Sequence, residues 1–477
     1  MRALLLPVAL LLLAAAAPAA AWDPAPWLAD LQQIRIAVDR DYPNRDWLTG
    51  TREANLDAMF ERTASDIRAG HDDADARRAL DVLIRRFRDG HVELRWPEAV
   101  RGDAPAPQPP PATVAAFCAA RGYDAGQVTP GTAAAMPGYR LIDSGSPLAA
   151  GLVDSGGTKV GVIRIGVFDP HGYPALCEQA VANARIAPAK ACDAACEDAL
   201  ITEAYALMTR GLMTGIERLR TAGAKVLMVD LSRNGGGSEW AEAAARIVSP
   251  VPLRSAPVMV MPAEHWVTSW RKLAATLRKE AATAGAADRS RLLDLAARAD
   301  KVADGLAACT GPDCKRLVQA GYGSGLLPAL KAGSFDGKPW GVQVFSAAQF
   351  PYRDGVWRGP LIVLVDDETW SAAEQFSAVL QDNAAAIIMG TRTGGAGCGH
   401  LDGDTPVTLT NSKATLHLPN CARLRKDGSN EVNGIVPDVP TGVRWHDGVR
   451  FAGQLTAARL PEAVAAAQRL AQSPPAP

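Results

Sequence analysis

The sequence predicts an α/β fold, and three observations carry that expectation. Four short apolar runs, KVGVIRIGVF (159–168), AKVLMVDL (224–231), LIVLV (Leu361–Val365) and AAAIIM (384–389), have the length and composition of buried strands. Between them lie segments with apolar residues at every third or fourth position, the spacing of amphipathic helices, at 197–222, at 238–248 and after Ser371. Two of the strands run into glycine-rich turns, Asn234-Gly235-Gly236-Gly237 and the loop from Thr391 to Gly399. Strands alternating with helices imply a sheet covered by helices. A hydrophobic fraction of 48% over 477 residues is enough for a large core and more than one structural unit.

The first 21 residues read as a secretory leader, with Arg2, an apolar stretch too short and too rich in alanine for a membrane anchor, and Ala19 and Ala21 ahead of a cut before Trp22. No later segment has the roughly 18 uninterrupted apolar residues of a membrane span. The expectation is a periplasmic or secreted protein with no membrane span once the leader is removed. Residues 22–88 carry three helical patterns and read as an N-terminal helical domain. Residues 89–264 begin the core and include a proline-rich segment at 103–112. Residues 265–321 are helical and charged, which suggests an inserted helical subdomain. The core resumes over 322–452, and 453–477 hold a last helix, about 460–472, and a proline-rich tail.

Export decides how the eight cysteines read. An even number in an oxidising compartment favours disulfides over metal, because no histidine or second cysteine pair stands at zinc spacing from Cys192 and Cys196. Cys309 with Cys314, and Cys398 with Cys421, are natural pairs. Cys118, Cys177, Cys192 and Cys196 make two more, in an order the spacing leaves open. The balance of 50 basic against 51 acidic residues, spread evenly, excludes a nucleic-acid face.

Four clusters invite a chemical reading. Ser371 directly follows a strand and an acidic turn and opens a helix, where backbone N–H groups stabilise negative charge. His91, in Arg88-Asp89-Gly90-His91-Val92, sits on a glycine turn between helix and strand. That is a place for a general base, although a lone histidine is more often structural. The Asn234–Gly237 turn is either a tight turn or an oxyanion hole. It has neither the Gly-Lys-Ser/Thr nor the G-x-G-x-x-G of nucleotide sites. Glu431 is either a solvated loop carboxylate or a group that orients a histidine. Ser371 is outside any G-x-S-x-G, and there is no H-E-x-x-H.

In order and spacing, DGHV, KVGVIRIGVF, VLMVDLSRNGGGS, LIVLVDDETWSAAEQFSAVLQD, AIIMGTRTGGAG and EVNGIVPDV together resemble the C-terminal-processing (tail-specific) serine peptidases. The resemblance implies a clp-protease/crotonase-like core, no cofactor and no metal, a peptide or protein substrate, Ser371 as nucleophile, and oxyanion donors at Gly235 or Gly236 with the N–H of Ala372. Many members use a serine–lysine dyad. Here Ala396 occupies the lysine position, so that dyad is excluded. The tricorn-type branch uses serine, histidine and glutamate instead, and His91 and Glu431 stand at matching positions. The peptide-binding PDZ module common in the family would fall between His91 and Lys159, where it is absent or vestigial. The expected activity is that of an exported serine endopeptidase or carboxyl-terminal processing peptidase, with His400 as the closest alternative base. The rival readings are a non-catalytic periplasmic ligand- or peptide-binding protein on the same core, and an exported esterase.

Overall fold

The computed structural model describes residues 22–97, 113–142, 146–309, 316–401 and 406–473. The expected leader, the 103–112 segment and Cys314 lie outside them. At the centre is a 7-stranded sheet in the order Val439–Pro440, Ile387–Gly390, Leu361–Val365, Val226–Asp230, Thr158–Arg164, Ala150–Ser155, Arg140–Ile142. The first five run parallel, and the last two pairings are antiparallel. Val226–Asp230 and Leu361–Val365 are buried at every residue, which is why they read as unbroken apolar runs rather than alternating ones.

Side chains leave the sheet alternately. Leu227, Val229, Leu361 and Val363 join a core with Leu212, Ile216, Trp240 and Phe376, from the helices Ala194–Thr221, Trp240–Val248 and Ala372–Asp382. Met228, Ile362, Leu364 and Met389 face the other way, against Leu460, Ala463 and Val464. These belong to a helix, Val449–Gln472, that starts about three turns before the one expected from the sequence and runs through Pro461. A proline inside a helix costs about 3 kcal/mol. Burying Ala452, Thr456 and Leu460, with Leu460, Ala463 and Val464 against the sheet, outweighs it.

A second sheet, in the order Cys421–Arg423, Pro257–Val260, Val318–Tyr322, is antiparallel and lies beside the first. Its last strand falls inside the stretch expected to be a helical insertion. A five-residue strand containing Gln319 and Gly321 has no alternation to betray it and is defined only by its distant partner. The helical part of that stretch is a pair, Glu264–Thr283 and Ala286–Ala307, crossed by ion pairs from Arg271 and Arg278 to Asp300. Leu277, Leu292 and Leu295 merge into the main core.

The N-terminal helices Ala25–Asp41, Leu56–Ala69 and Asp73–Arg86 bury Ile34, Val38, Leu80 and Leu83. Asn55 and Asp72 cap the second and third by accepting from Ala58 N and Asp75 N. Their core is completed from far along the chain by Leu409, Leu416 and Leu418. Cysteines pair as Cys118–Cys177, Cys192–Cys196 and Cys398–Cys421. Among the described residues no helix is long and apolar enough to cross a membrane, and no cluster of side chains is arranged to hold a metal ion.

Candidate active site

Three loops leave the carboxyl ends of adjacent parallel strands. Asp230 pairs with Leu364, and Leu364 with Met389, so the strands end level and the loops emerge side by side, where ligands bind in sheets of this kind.

The loop after Leu361–Val365 carries Ser371. Asp366 Oδ1 accepts from the N–H groups of Arg233 (2.8 Å) and Glu368 (3.1 Å), which ties this loop to the glycine turn. Burial pushes Asp366 up to about 6. Ser371 has φ 54°, a left-handed conformation that costs a residue with a Cβ on the order of 1–3 kcal/mol. The strain is held in place because Trp370 N–H donates to Asn234 O (2.9 Å) and Ser371 N–H to Glu374 Oε2 (3.0 Å).

The glycine turn packs directly on the serine. A Cβ on Gly236 would lie 2.8 Å from Ser371 Cβ and 3.1 Å from Ala372 N, so only glycine fits there. Asn234, fully buried, donates through Nδ2 to Ile165 O (2.8 Å) and accepts the Gly236 N–H on Oδ1 (2.8 Å). This corrects one expectation. The Gly236 N–H is already bonded and has no hydrogen left for an oxyanion. The N–H groups of Gly235 and Ala372 donate to no protein group among the described residues.

His91 arrives from the other side. Its Nε2 lies 3.2 Å from Ser371 Oγ and its Nδ1 2.9 Å from Ala396 O. A carbonyl only accepts, so Nδ1 carries the proton and Nε2 presents its lone pair to the serine hydroxyl. The ring rests against Gly399, where a Cβ would stand 2.6 Å from Nε2. Asp89 Oδ1 accepts the His91 backbone N–H (3.0 Å) and lies 4.0 Å from Nδ1. Its Oδ2 accepts from Tyr42 Oη (3.0 Å) and Asn44 Nδ2 (2.9 Å). Arg52 donates to Phe87 O (3.0 Å), Arg88 O (2.7 Å) and Val432 O. His400, the alternative base, stands edge-on to His91 with ring centroids 5.9 Å apart.

Glu431 is not beside His91. It is buried and paired with Arg423, whose Nε and a terminal nitrogen reach its two oxygens at 2.7 and 3.0 Å. A buried carboxylate takes the strongest donor in reach, and here that is a guanidinium on the neighbouring strand, so the expected orienting contact does not form. Burial disfavours charge on Arg423, but the pairing with Glu431 outweighs it and raises its pKa. The same guanidinium donates to Gly397 O (2.9 Å).

The residue that organises the site is the acidic one in the first turn of the helix after Ser371. Glu374, fully buried, accepts from Ser371 N (3.0 Å), Ala396 N (2.8 Å) and Gly397 N (3.1 Å) on one oxygen, and from Thr393 Oγ1 (2.6 Å) and Gly395 N (2.8 Å) on the other. Burial and the charge of Glu431 raise its pKa, the hydrogen bonds from Thr393, Gly395 and Gly397 pull it back, and it rests at about 7. Through Glu374 the Ser371 backbone and the loop that orients His91 share one anchor. The Cys398–Cys421 disulfide ties the far end of that loop to the strand carrying Arg423. Only the acidic residue three positions into the helix, a capping pattern, hints at this role in the sequence.

The family model for peptidase family S41 matches residues 200–441, which include Ser371, Glu374, Arg423 and Glu431 but not His91. Among solved structures, mature CPAF aligns with a TM-score of 0.59 at 13% identity, over 94% of this chain and 99% of that one. Mature CPAF complexed with lactacystin aligns at 0.57 and 14%, over 94% and 98%. At such identities the likeness is one of fold. No curated protein matches the chain by sequence.

Proposed function

Because the chain belongs to peptidase family S41, and is a serine peptidase by that membership, we propose that Ser371 and His91 carry its reaction. Ser371 Oγ attacks the carbonyl carbon of a peptide bond while His91 Nε2 takes the hydroxyl proton. The oxyanion that forms accepts from the N–H groups of Gly235 and Ala372. The imidazolium then gives the proton to the leaving amine, and the acyl group stays on Ser371 until water, activated by the same nitrogen, releases it. The carbonyl of Ala396 holds the imidazole in the productive tautomer. The Asp89 carboxylate, 4.0 Å from Nδ1, stabilises the positive charge that develops.

The observation that carries this reading is the 3.2 Å contact between Ser371 Oγ and His91 Nε2, with Nδ1 fixed on a carbonyl. The absence of a lysine at position 396 agrees with a histidine base and with the tricorn-type branch. Three paired disulfides support export to a periplasmic or extracellular setting, and action as an endopeptidase or at carboxyl termini belongs to the same proposal. A fluorophosphonate probe and a peptide substrate test it together. Ser371→Ala should lose labelling and hydrolysis, and His91→Ala should lower kcat by about 10³-fold or more with the fold intact. Full activity in His91→Ala would move the base to His400. Absence of labelling in the wild type would favour a binding protein, and turnover of esters alone an esterase.

A further inference from the structure

Between the inserted helix Glu264–Thr283 and the second sheet is a partly open cavity of about 390 Å³. Its wall is mostly apolar, with Val258 and Val260 from the sheet, Trp266, Trp270 and Leu273 from the inserted helix, and Leu401. Three parts of its rim belong to segments that build the site. Leu401 follows Gly399 and His400, the stretch on which the His91 ring rests. Glu239 comes two residues after the glycine turn. Gly323 accepts from Nε2 of Gln375 (3.4 Å), which lies one turn beyond Ser371 on the nucleophile's helix.

The volume leaves ample room for a large side chain, and the mostly apolar wall suits an apolar one.

We propose that this cavity selects the substrate by seating one large apolar side chain, aromatic or leucine, next to the scissile bond, with the inserted helix as one wall of the specificity pocket. The inference rests on the peptidase reading of Ser371 and His91 and deepens it by naming the substrate class. The inserted helix then does more than decorate the core. A bound side chain touches Trp270 and Leu273, so the insertion decides which peptides reach the serine.

The test uses the full chain and matched peptides that differ at one position flanking the cleaved bond, with alanine, leucine, phenylalanine or tyrosine. The wild type should cleave the large apolar peptides with kcat/KM at least about tenfold above alanine. Leu273→Trp and, independently, Ala320→Leu narrow the cavity from opposite walls. Each should cut the phenylalanine-to-alanine ratio of kcat/KM by about tenfold or more, chiefly through KM. Fluorophosphonate labelling of Ser371 needs no side chain in the cavity and reports separately whether the reaction centre is assembled. Equal cleavage of all four peptides by a labelling-competent wild type overturns the pocket and leaves the peptidase standing. An unchanged ratio in both labelling-competent variants does the same. Absence of labelling in the wild type removes the peptidase reading and the pocket with it.

Discussion

The loop that carries Ser371 is held by the sheet beneath it, whereas the turn that carries His91 is held by the N-terminal helices. Ser371 depends on Asn234, Asp366 and Glu374, all within the span that matches the family. His91 depends on Tyr42, Asn44 and Arg52, which hold Asp89 and the carbonyls of Phe87 and Arg88 from outside that span. The two side chains are 280 residues apart in sequence and 3.2 Å apart in space. The placing of Ser371 is thus a property of the core, and that of His91 a property of how a helical layer docks on it. Glu374 reaches both, through Ser371 N on one side and the Ala396 peptide on the other.

That difference predicts unequal damage. Glu374→Ala strips an acceptor from five donors at once, and each buried donor left unmet costs about 1–3 kcal/mol. The expected result is a fall in kcat of about 10³-fold together with a loss of about 3 kcal/mol or more in stability, read from peptide turnover and urea unfolding. Arg52→Ala loosens the turn behind His91 and its tie to the Val432 carbonyl. It should lower kcat by about 10- to 100-fold, with a much smaller change in unfolding, since a base displaced by about 1 Å already costs that much in rate. Equal loss of stability in the two variants would mean that the helical layer and the core do not hold the site separately.

The contrast also explains what could be read in advance. Ser371 was legible because a strand, an acidic turn and a helix start are local patterns, and His91 because a glycine turn at an element junction is one too. The contact that orients His91 was not legible, since it goes to the backbone carbonyl of Ala396, and a main-chain acceptor leaves no residue type behind. In the sequence Ala396 stands out only for the lysine it lacks. The family resemblance assigns Glu431 to His91, and nothing in the stretch CARLRK marks Arg423 as buried beside that carboxylate. The α/β order of the core came through clearly because its parallel strands are continuous apolar runs. The short strand Val318–Tyr322 did not, since its partners Val258 and Met259 lie some sixty residues away across two helices.

Glu431→Gln sharpens the comparison from the other direction. A group that oriented the base directly would cost about 10⁴-fold in kcat when neutralised. A group that balances a buried guanidinium instead costs stability, about 3–5 kcal/mol, because Arg423 is left charged and unpaired. The second pattern is expected, with kcat falling less than about tenfold in the fraction that remains folded. Thermal unfolding alongside kcat separates the two. A large drop in kcat with unfolding unchanged would return Glu431 to the reaction.

The smallest expected effect concerns the link between the two loops on the core side. Asp366 is pushed up by burial to about 6, from an ordinary value of 3.8. Between about pH 4 and pH 6 the folded protein therefore keeps a proton on Asp366 that the unfolded chain has already lost, and its contribution to stability falls as pH rises through that window. Above about pH 6 the penalty is complete, with a ceiling near 3 kcal/mol. Asp366→Asn keeps Oδ1 as acceptor for Arg233 N and Glu368 N and has no charge to bury. The difference in melting temperature, variant minus wild type, should become more positive from pH 4 to pH 6 and level off above. Glu374, at about 7, titrates in both proteins and cancels from the difference. A difference that is flat across this window would show that Asp366 is ionised in the fold as easily as in water, and that the tie between the serine loop and the glycine turn carries no buried charge.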